Sequence, residues 1–325
     1  FRNSKLKKSK KIWNLLLSSI KEIEKIVNND LLDIEFGITN SNQIVIFQVR
    51  PITTLNSNNI IKVAKVEKLI QKSKNFFNKK NQEKCIFGKH TVFSDMADWN
   101  PAEIIGHDPN TLDYSLYDYL IMNDSWQKGR EKIGYQKVNN NLMVKFGRKP
   151  YVDVRSSFNS LIPEKIDNNL KKKLIKFYFK KLQNQPYLHD KIEFEILFTC
   201  YEPYLNERLE ELKLHGFTSN EIKILKENLL LFTNHLIQNF SKIFDECNDS
   251  ISKMRKNRTK ILAILNNSHH THKELISASE FLLDDCKSLG TVYFSIMARI
   301  AFVASIIIKN LVKSGIISEK FVNDF

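Results

Sequence analysis

From about residue 166 to the end, the sequence keeps almost without interruption to a helical period, and this run decides what most of the chain can become. In "KKKLIKFYFKK", Leu174, Phe177, Tyr178 and Leu182 recur at three- and four-residue steps while lysines fill the other positions. That is a helix with one buried and one solvated face. "FTSNEIKILKENLLLFTNHLIQNFSKIF", residues 217–244, opens with Thr218 and Glu221 at capping-box spacing and reads as one long helix. Gly216 precedes it, and Gly290 and Gly315 are expected to punctuate later helices. Residues 291–312, "TVYFSIMARIAFVASIIIKNLV", are apolar enough to raise a membrane span, but Arg299 sits mid-segment, where a bilayer would make it costly. The expectation is a buried core helix and no membrane partner.

Ahead of the helical part the pattern is mixed, so the fold class is α+β, predominantly α-helical. Residues 11–27 carry an amphipathic helical pattern, and 33–55, "DIEFGITNSNQIVIFQVRPITTL", alternate as two strands of a hairpin. Residues 57–84, rich in Asn, Lys and Ser, read as a linker with some helix. The expected division is therefore 1–56, the linker 57–84, and a mainly helical domain over 85–325 that begins with an irregular, loop-rich entry region. Within that entry, "NLMVKF" and "PYVDVR" read as short extended pieces.

The hairpin carries the most specific chemistry. An even turn, either two residues at Ser41 and Asn42 or four over 40–43, sets Glu35 opposite Gln48 and Asp33 opposite Arg50. A carboxylate beside an amide oxygen makes a hard-oxygen site suited to Mg²⁺, and a neighbouring arginine suits a phosphate oxygen. The plainer alternative is a surface hairpin with a cross-strand ion pair.

The string "DIEF", followed after a short turn by "IFQVRPITTL", closely resembles the end of the ATP-grasp nucleotide-binding domain in the pyruvate phosphate dikinase and phosphoenolpyruvate synthase family, which includes rifampicin phosphotransferase. The resemblance is specific over about residues 31–55. It implies that residues 1–56 are a C-terminal ATP-grasp helix-hairpin remnant, that Glu35 and Gln48 bind the magnesium of Mg-ATP, and that Arg50 contacts phosphate. It also implies upstream ATP-grasp and downstream phosphohistidine domains in a parent enzyme, with ATP and Mg²⁺ as cofactors and a small-molecule or glycan acceptor. This chain, which opens without methionine and reads as a fragment, is then expected to be inactive alone. "NNSHHTH", residues 266–272, lacks the glycine-rich lead-in of the family's phosphorylated histidine and reads as a polar inter-helix loop.

Residues 93–106, "FSDMADWNPAEIIG", pack acids, an amide and an aromatic ahead of a helix start at 101–105, where Asp98 or Asn100 would cap. Similar segments follow the nucleotide-binding part of phosphoenolpyruvate-synthase-like proteins, which implies a substrate-facing role. Asp95, Asp98, Trp99, Asn100 and Arg155 are thus the candidate acceptor site, with Trp99 either stacking on a ring or packing. Asp153 and Arg155 would share one face of an extended segment and pair, or else bind an anionic group. His189 and Glu193, one helical turn apart, are within reach of one proton or one metal.

The formal charge of +14 over 325 residues invites a nucleic-acid partner. The lysines are spread through the chain, and neither of its two dense runs, "KLKKSKK" and "KKKLIKFYFKK", has the glycine-aromatic signature of an RNA-binding module, so this reading is discounted. Cys85, Cys200, Cys247 and Cys286 show no zinc spacing and read as reduced, cytoplasmic thiols. Two alternatives to the phosphotransferase stay open: a non-catalytic helical binding or scaffold module, and a basic RNA-binding protein.

Overall fold

The computed structural model describes residues 6–39, 41, 43–52, 63–83, 86–266 and 269–324. Helix takes 65% and strand 10%, which makes the chain α+β and mostly α. It divides into two compact units, Phe1–Ile60 and Ile61–Phe325.

In the first unit, helix α1 (Leu6–Val27) leads through Asn28, at φ 53°, into the antiparallel pair β1 (Leu32–Ile38) and β2 (Ile44–Pro51). The register sets Asp33 against Arg50 and Glu35 against Gln48, then slips by one residue between Glu35 and Phe36. Beyond the slip, Phe36 faces Ile46 and Ile38 faces Ile44, and the Thr39 amide donates to the Gln43 carbonyl. The expected even turn is therefore corrected to an odd one, compensated by a bulge at Phe47. The bulge turns the Phe47 ring over Gly37, where a Cβ would come within 2.7 Å of the ring, so the glycine is needed for that contact.

The second unit opens with α2 (Val63–Asn81), so most of the expected linker is regular helix. Phe76 and Phe77 on it meet Phe146 and Phe93 edge-on at 5.5 and 5.7 Å. Then come β3 (Phe93–Ser94), α3 (Pro101–Ile105), α4 (Thr111–Tyr117), which runs on through a π-turn, and α5 (Ser125–Lys132). Next, β4 (Met143–Phe146) and β5 (Lys149–Asp153) complete a three-stranded antiparallel sheet in the order β3-β5-β4. Helix α6 (Val154–Asn159) starts at once, because the Asp153 carboxylate accepts from the amides of Arg155 and Ser156 and ends the strand. Arg155 is thus helical and does not share an extended face with Asp153.

Helix α7 (Asn168–Asn184) buries Leu174, Phe177, Tyr178 and Leu182, as its spacing predicts. A π-turn over Ile192–Ile196 separates it from α8 (Leu205–Lys213), and α9 (Ser219–Gln238) begins at the Thr218–Glu221 capping box. The single helix expected over 217–244 breaks at Asn239, whose amide and side chain both return to the His235 carbonyl, at 3.1 and 2.8 Å. Helix α10 (Phe240–Asn266) follows, then α11 (His272–Asp285), with a second capping box at Thr271 and Glu274. Of "NNSHHTH", residues 267 and 268 lie outside the described residues, and the described part joins two helices. A π-turn over Cys286–Thr291 carries α11 straight into α12 (Val292–Lys313), so Gly290 lies inside a continuous helix rather than at an end. Gly315, at φ 72°, does end α12, before α13 (Glu319–Asp324).

His272–Lys313 is long and apolar enough to cross a membrane by length and composition, with 33% of its most apolar window buried. Only one face of α12 is interior, through Val292, Ser295, Ile296, Arg299, Val303 and Ile306. That face meets α5 at Gly129, where a Cβ would lie 2.5 Å from the Val292 carbonyl oxygen and 2.6 Å from the Ser295 Cβ, and the Ser295 hydroxyl donates to the Trp126 carbonyl at 2.6 Å. The obstacle is partly backbone, which cannot swing aside. Gly129→Ala is expected to cost about 1–3 kcal/mol through forced separation of α5 and α12, read as a lower urea midpoint with an unchanged slope.

Candidate functional site

On the hairpin, strand alternation brings four polar side chains to one face: Asp33 and Glu35 from β1, Gln48 and Arg50 from β2. One guanidinium nitrogen of Arg50, Nη2, donates to Asp33 Oδ2 at 3.2 Å and to Glu35 Oε1 at 2.8 Å. Both carboxylate side chains are more than half exposed and the arginine is 30% exposed. The two acids therefore already draw a cationic group between them, and the Gln48 amide stands across from Glu35. As a donor set, a carboxylate next to an amide oxygen fits a hard cation such as Mg²⁺. Among the described residues, no group of three or more His, Cys, Asp or Glu could hold a metal ion. Any cation here would thus take its remaining ligands from phosphate oxygens or water.

The five residues expected to face an acceptor are distributed differently. Asp98, at φ 55°, is interior. It takes two bonds from Arg130 at 2.7 and 2.9 Å, one from Trp126 Nε1 at 2.9 Å and one from the Ser157 hydroxyl at 2.5 Å. Asn100 caps α3 by accepting from the amides of Ala102 and Glu103. Arg155 is fully buried and donates to the backbone carbonyls of Gly88 and Lys80, at 3.1 and 2.6 Å. Asp95 is partly exposed, 3.9 Å from the His107 ring nitrogen. Trp99 packs on Trp126 and Phe294, with ring centroids 4.3 and 5.3 Å apart. Asp98, Asn100 and Arg155 thus serve three separate structural settings, and only Asp95 and Trp99 present side chain to solvent.

Two expected pairs do not form. Asp153 accepts from the Thr91 hydroxyl at 2.5 Å and caps α6, apart from the Arg155 guanidinium. His189 follows a short 3₁₀ turn and meets the Ser94 hydroxyl at 3.4 Å, while Glu193, on the π-turn, goes to arginines. Local spacing misjudged both pairs because neither segment keeps the backbone that the spacing assumes.

What the sequence reading missed is where these groups lead. Glu193 lies 3.4 Å from Arg130 and bonds Arg299 directly, and Arg299 also donates to the Thr199 hydroxyl at 2.9 Å. Asp98, Arg130, Glu193 and Arg299 thus form an alternating chain of buried charges. Burial pushes the Asp98 carboxyl upward, but the Arg130 charge with the bonds from Arg130, Ser157 and Trp126 outweighs it and holds the group below its ordinary range. Arg130 is likewise disfavoured by burial and held charged by Asp98 and Glu193. Nearby, burial pushes the Cys200 thiol up to about 11, which keeps it protonated and inert. The available signal was Arg299 itself, since a charge inside an apolar helix must find an opposite charge wherever the chain folds.

Comparisons of the chain with family models, with curated proteins and with solved structures return no match.

Because the Asp98 carboxyl is depressed in the folded state, its contribution is complete above the ordinary carboxylate range and is lost as pH falls below about 4. Asp98→Asn leaves Arg130 under-compensated and is expected to cost about 3–5 kcal/mol at neutral pH. The variant should also show a flatter acid limb when denaturant midpoints are measured from neutral to acidic pH.

Proposed function

We propose that this chain is part of an ATP-dependent phosphotransferase of the pyruvate phosphate dikinase and phosphoenolpyruvate synthase type, with its hairpin at the nucleotide. The observation that carries this reading is the register that stands Glu35 across from Gln48 and seats Arg50 between Asp33 and Glu35. Glu35 and Gln48 would hold Mg²⁺ through hard oxygens, and Arg50, seated between Asp33 and Glu35, would meet a phosphate oxygen. When bound, magnesium screens the phosphate charge so that an oxygen nucleophile can approach phosphorus. The protein's part is to orient: strand pairing fixes Glu35 and Gln48, and Asp33 keeps the arginine near. The exposed apolar side chains of this unit, among them Trp13 and Phe47, suit a surface covered by the rest of a nucleotide-binding domain.

In the same reading, the helical unit serves the acceptor, a small molecule or glycan. Trp99 and the half-exposed Phe294 supply an aromatic wall and Asp95 a polar edge, while Asp98 and Arg155 hold the frame behind them. The enzyme is placed in the cytoplasm, where its free cysteines stay reduced.

Mn²⁺ titrated into the full chain with ATP is expected to broaden the Gln48 side-chain amide resonance selectively, and Glu35→Ala should abolish that broadening without altering the circular dichroism of the helical unit. In the intact enzyme the same variant is expected to stop ATP-driven phosphohistidine formation. Wild-type spectra that ignore both metal and nucleotide would return the hairpin to a structural role and favour the scaffold reading.

A further inference from the structure

The outer half of α10 and the first turn of α11 carry charge of one sign. Between Ser250 and Lys273 stand six cations, Lys253, Arg255, Lys256, Arg258, Lys260 and Lys273, and no aspartate or glutamate. None of the six enters an ion pair among the described residues. From residue 251 to 285 no described residue is buried, so the two helices form an arm with little interior of its own. Its positive charge is left unanswered by the rest of the described chain.

One side of α10 combines this charge with apolar surface. Phe240, Phe244, Ile251 and Leu262 follow steps of four, seven and eleven residues, which at about 100° per residue keeps them within about 40° of one another along about 33 Å of helix. All four stay 38–44% exposed. Arg255 lies about 40° to one side of Ile251 and Arg258 about 20° to the other, so both guanidinium groups belong to the same strip. The acids of the helix do not: Asp245, Glu246 and Asp249 point about 120–160° away, as Lys242 does on the far side. On α11, Glu274 caps its own helix, Asp284 accepts from the Tyr119 hydroxyl and Asp285 from the Asn257 amide at 2.8 Å. Glu280 is the one acid of α11 without such a bond among the described residues.

We infer that this side of α10 lies flat on an anionic lipid surface, with Phe240, Phe244, Ile251 and Leu262 at the boundary of headgroups and acyl chains and Arg255 and Arg258 on the lipid anions. A strip that is cationic, apolar and free of acids complements a surface that is negative outside and apolar just beneath. Nucleic acid would match the charge, but a phosphate backbone offers nothing to the aliphatic side chains of Ile251 and Leu262. The lysines on the far side of α10 stand about one helix diameter from the lipid, near the Debye length, and add a weaker attraction. Nothing spans the bilayer in this arrangement, and the anionic leaflet faces the cytoplasm, the compartment proposed above. The docking is independent of the nucleotide chemistry assigned to the hairpin.

Flotation of the full chain with vesicles tests this, since aggregated protein does not float. The wild type should rise with vesicles of equal parts phosphatidylserine and phosphatidylcholine, stay behind with phosphatidylcholine alone, and be released as salt is raised. Arg255→Gln combined with Arg258→Gln should lower the partition coefficient by about 30-fold, because each basic group near such a surface contributes about five-fold, with the far-UV circular dichroism of the wild type unchanged. With Cys85 and Cys286 replaced by serine, an environment-sensitive fluorophore on Ile251→Cys should shift to the blue on the mixed vesicles. The same fluorophore on Lys260→Cys, which points about 180° away around the helix, should not. A chain that stays behind with the mixed vesicles overturns the proposal, and so does flotation that is equal on both lipids or unchanged in the double variant. A chain that ignores the vesicles but binds single-stranded RNA overturns it as well and gives the arm to nucleic acid.

Discussion

The helical unit depends on Arg130. From one turn of α5 its guanidinium gathers the loop that carries Asp98, the Ser160 hydroxyl at 2.8 Å just beyond α6, and Glu193 on the π-turn that follows α7. Glu193 passes the connection to Arg299 on α12. The four ionised groups come from four distant parts of the chain and alternate in sign, so each buried charge is answered by its neighbour and the group as a whole is neutral. Such a chain adds little over an apolar core of the same shape, but removing one member strands the rest. Its main effect here is on alignment. Apolar contacts between α5 and α12 would tolerate a slide along the axis, whereas only one setting brings Arg299 to Glu193 and Gly129 to the Val292 carbonyl.

The same network explains why a motif rich in polar residues need not be a site. The Asp98 carboxylate accepts from two side chains besides Arg130, and the Arg155 guanidinium supports two backbone carbonyls. Carboxylates and guanidinium groups so engaged have little capacity for a substrate, because any new contact must first break one that burial makes expensive to lose. Of the five polar and aromatic residues of that motif set, only Trp99 and Asp95 keep a solvent face.

Much of the fold was legible because it rests on local rules. The buried stripe of α7, the Thr218 capping box, the helix at 101–105 and both strands of the hairpin follow from periodicity or capping alone. Several misreadings share one cause: each needed a backbone irregularity that residue spacing does not announce. Asn239 splits α9 from α10 by folding its side chain back onto the preceding turn. The π-turn absorbs Gly290 into a continuous helix, and the cap at Asp153 ends a strand two residues earlier than the pattern suggests. The partners of Glu193 were invisible for a different reason, since Arg130 and Arg299 lie 63 and 106 positions away in the sequence. A requirement for some partner could be read from Arg299, but not its identity.

The hairpin shows how two local departures can restore one geometry. With an odd turn alone, every residue of β2 past the turn would face the side opposite to that set by an even turn, and Gln48 and Arg50 would leave the face of Asp33 and Glu35. The bulge at Phe47 supplies the second half-step, so that polar faces polar at the open end of the ribbon. Gly37 makes the bulge tenable by leaving room for the displaced ring, and the ring in turn covers the backbone that the glycine leaves bare. The placement of Glu35 across from Gln48 therefore depends on Gly37 and Phe47, two apolar positions near the turn, as much as on the polar residues themselves.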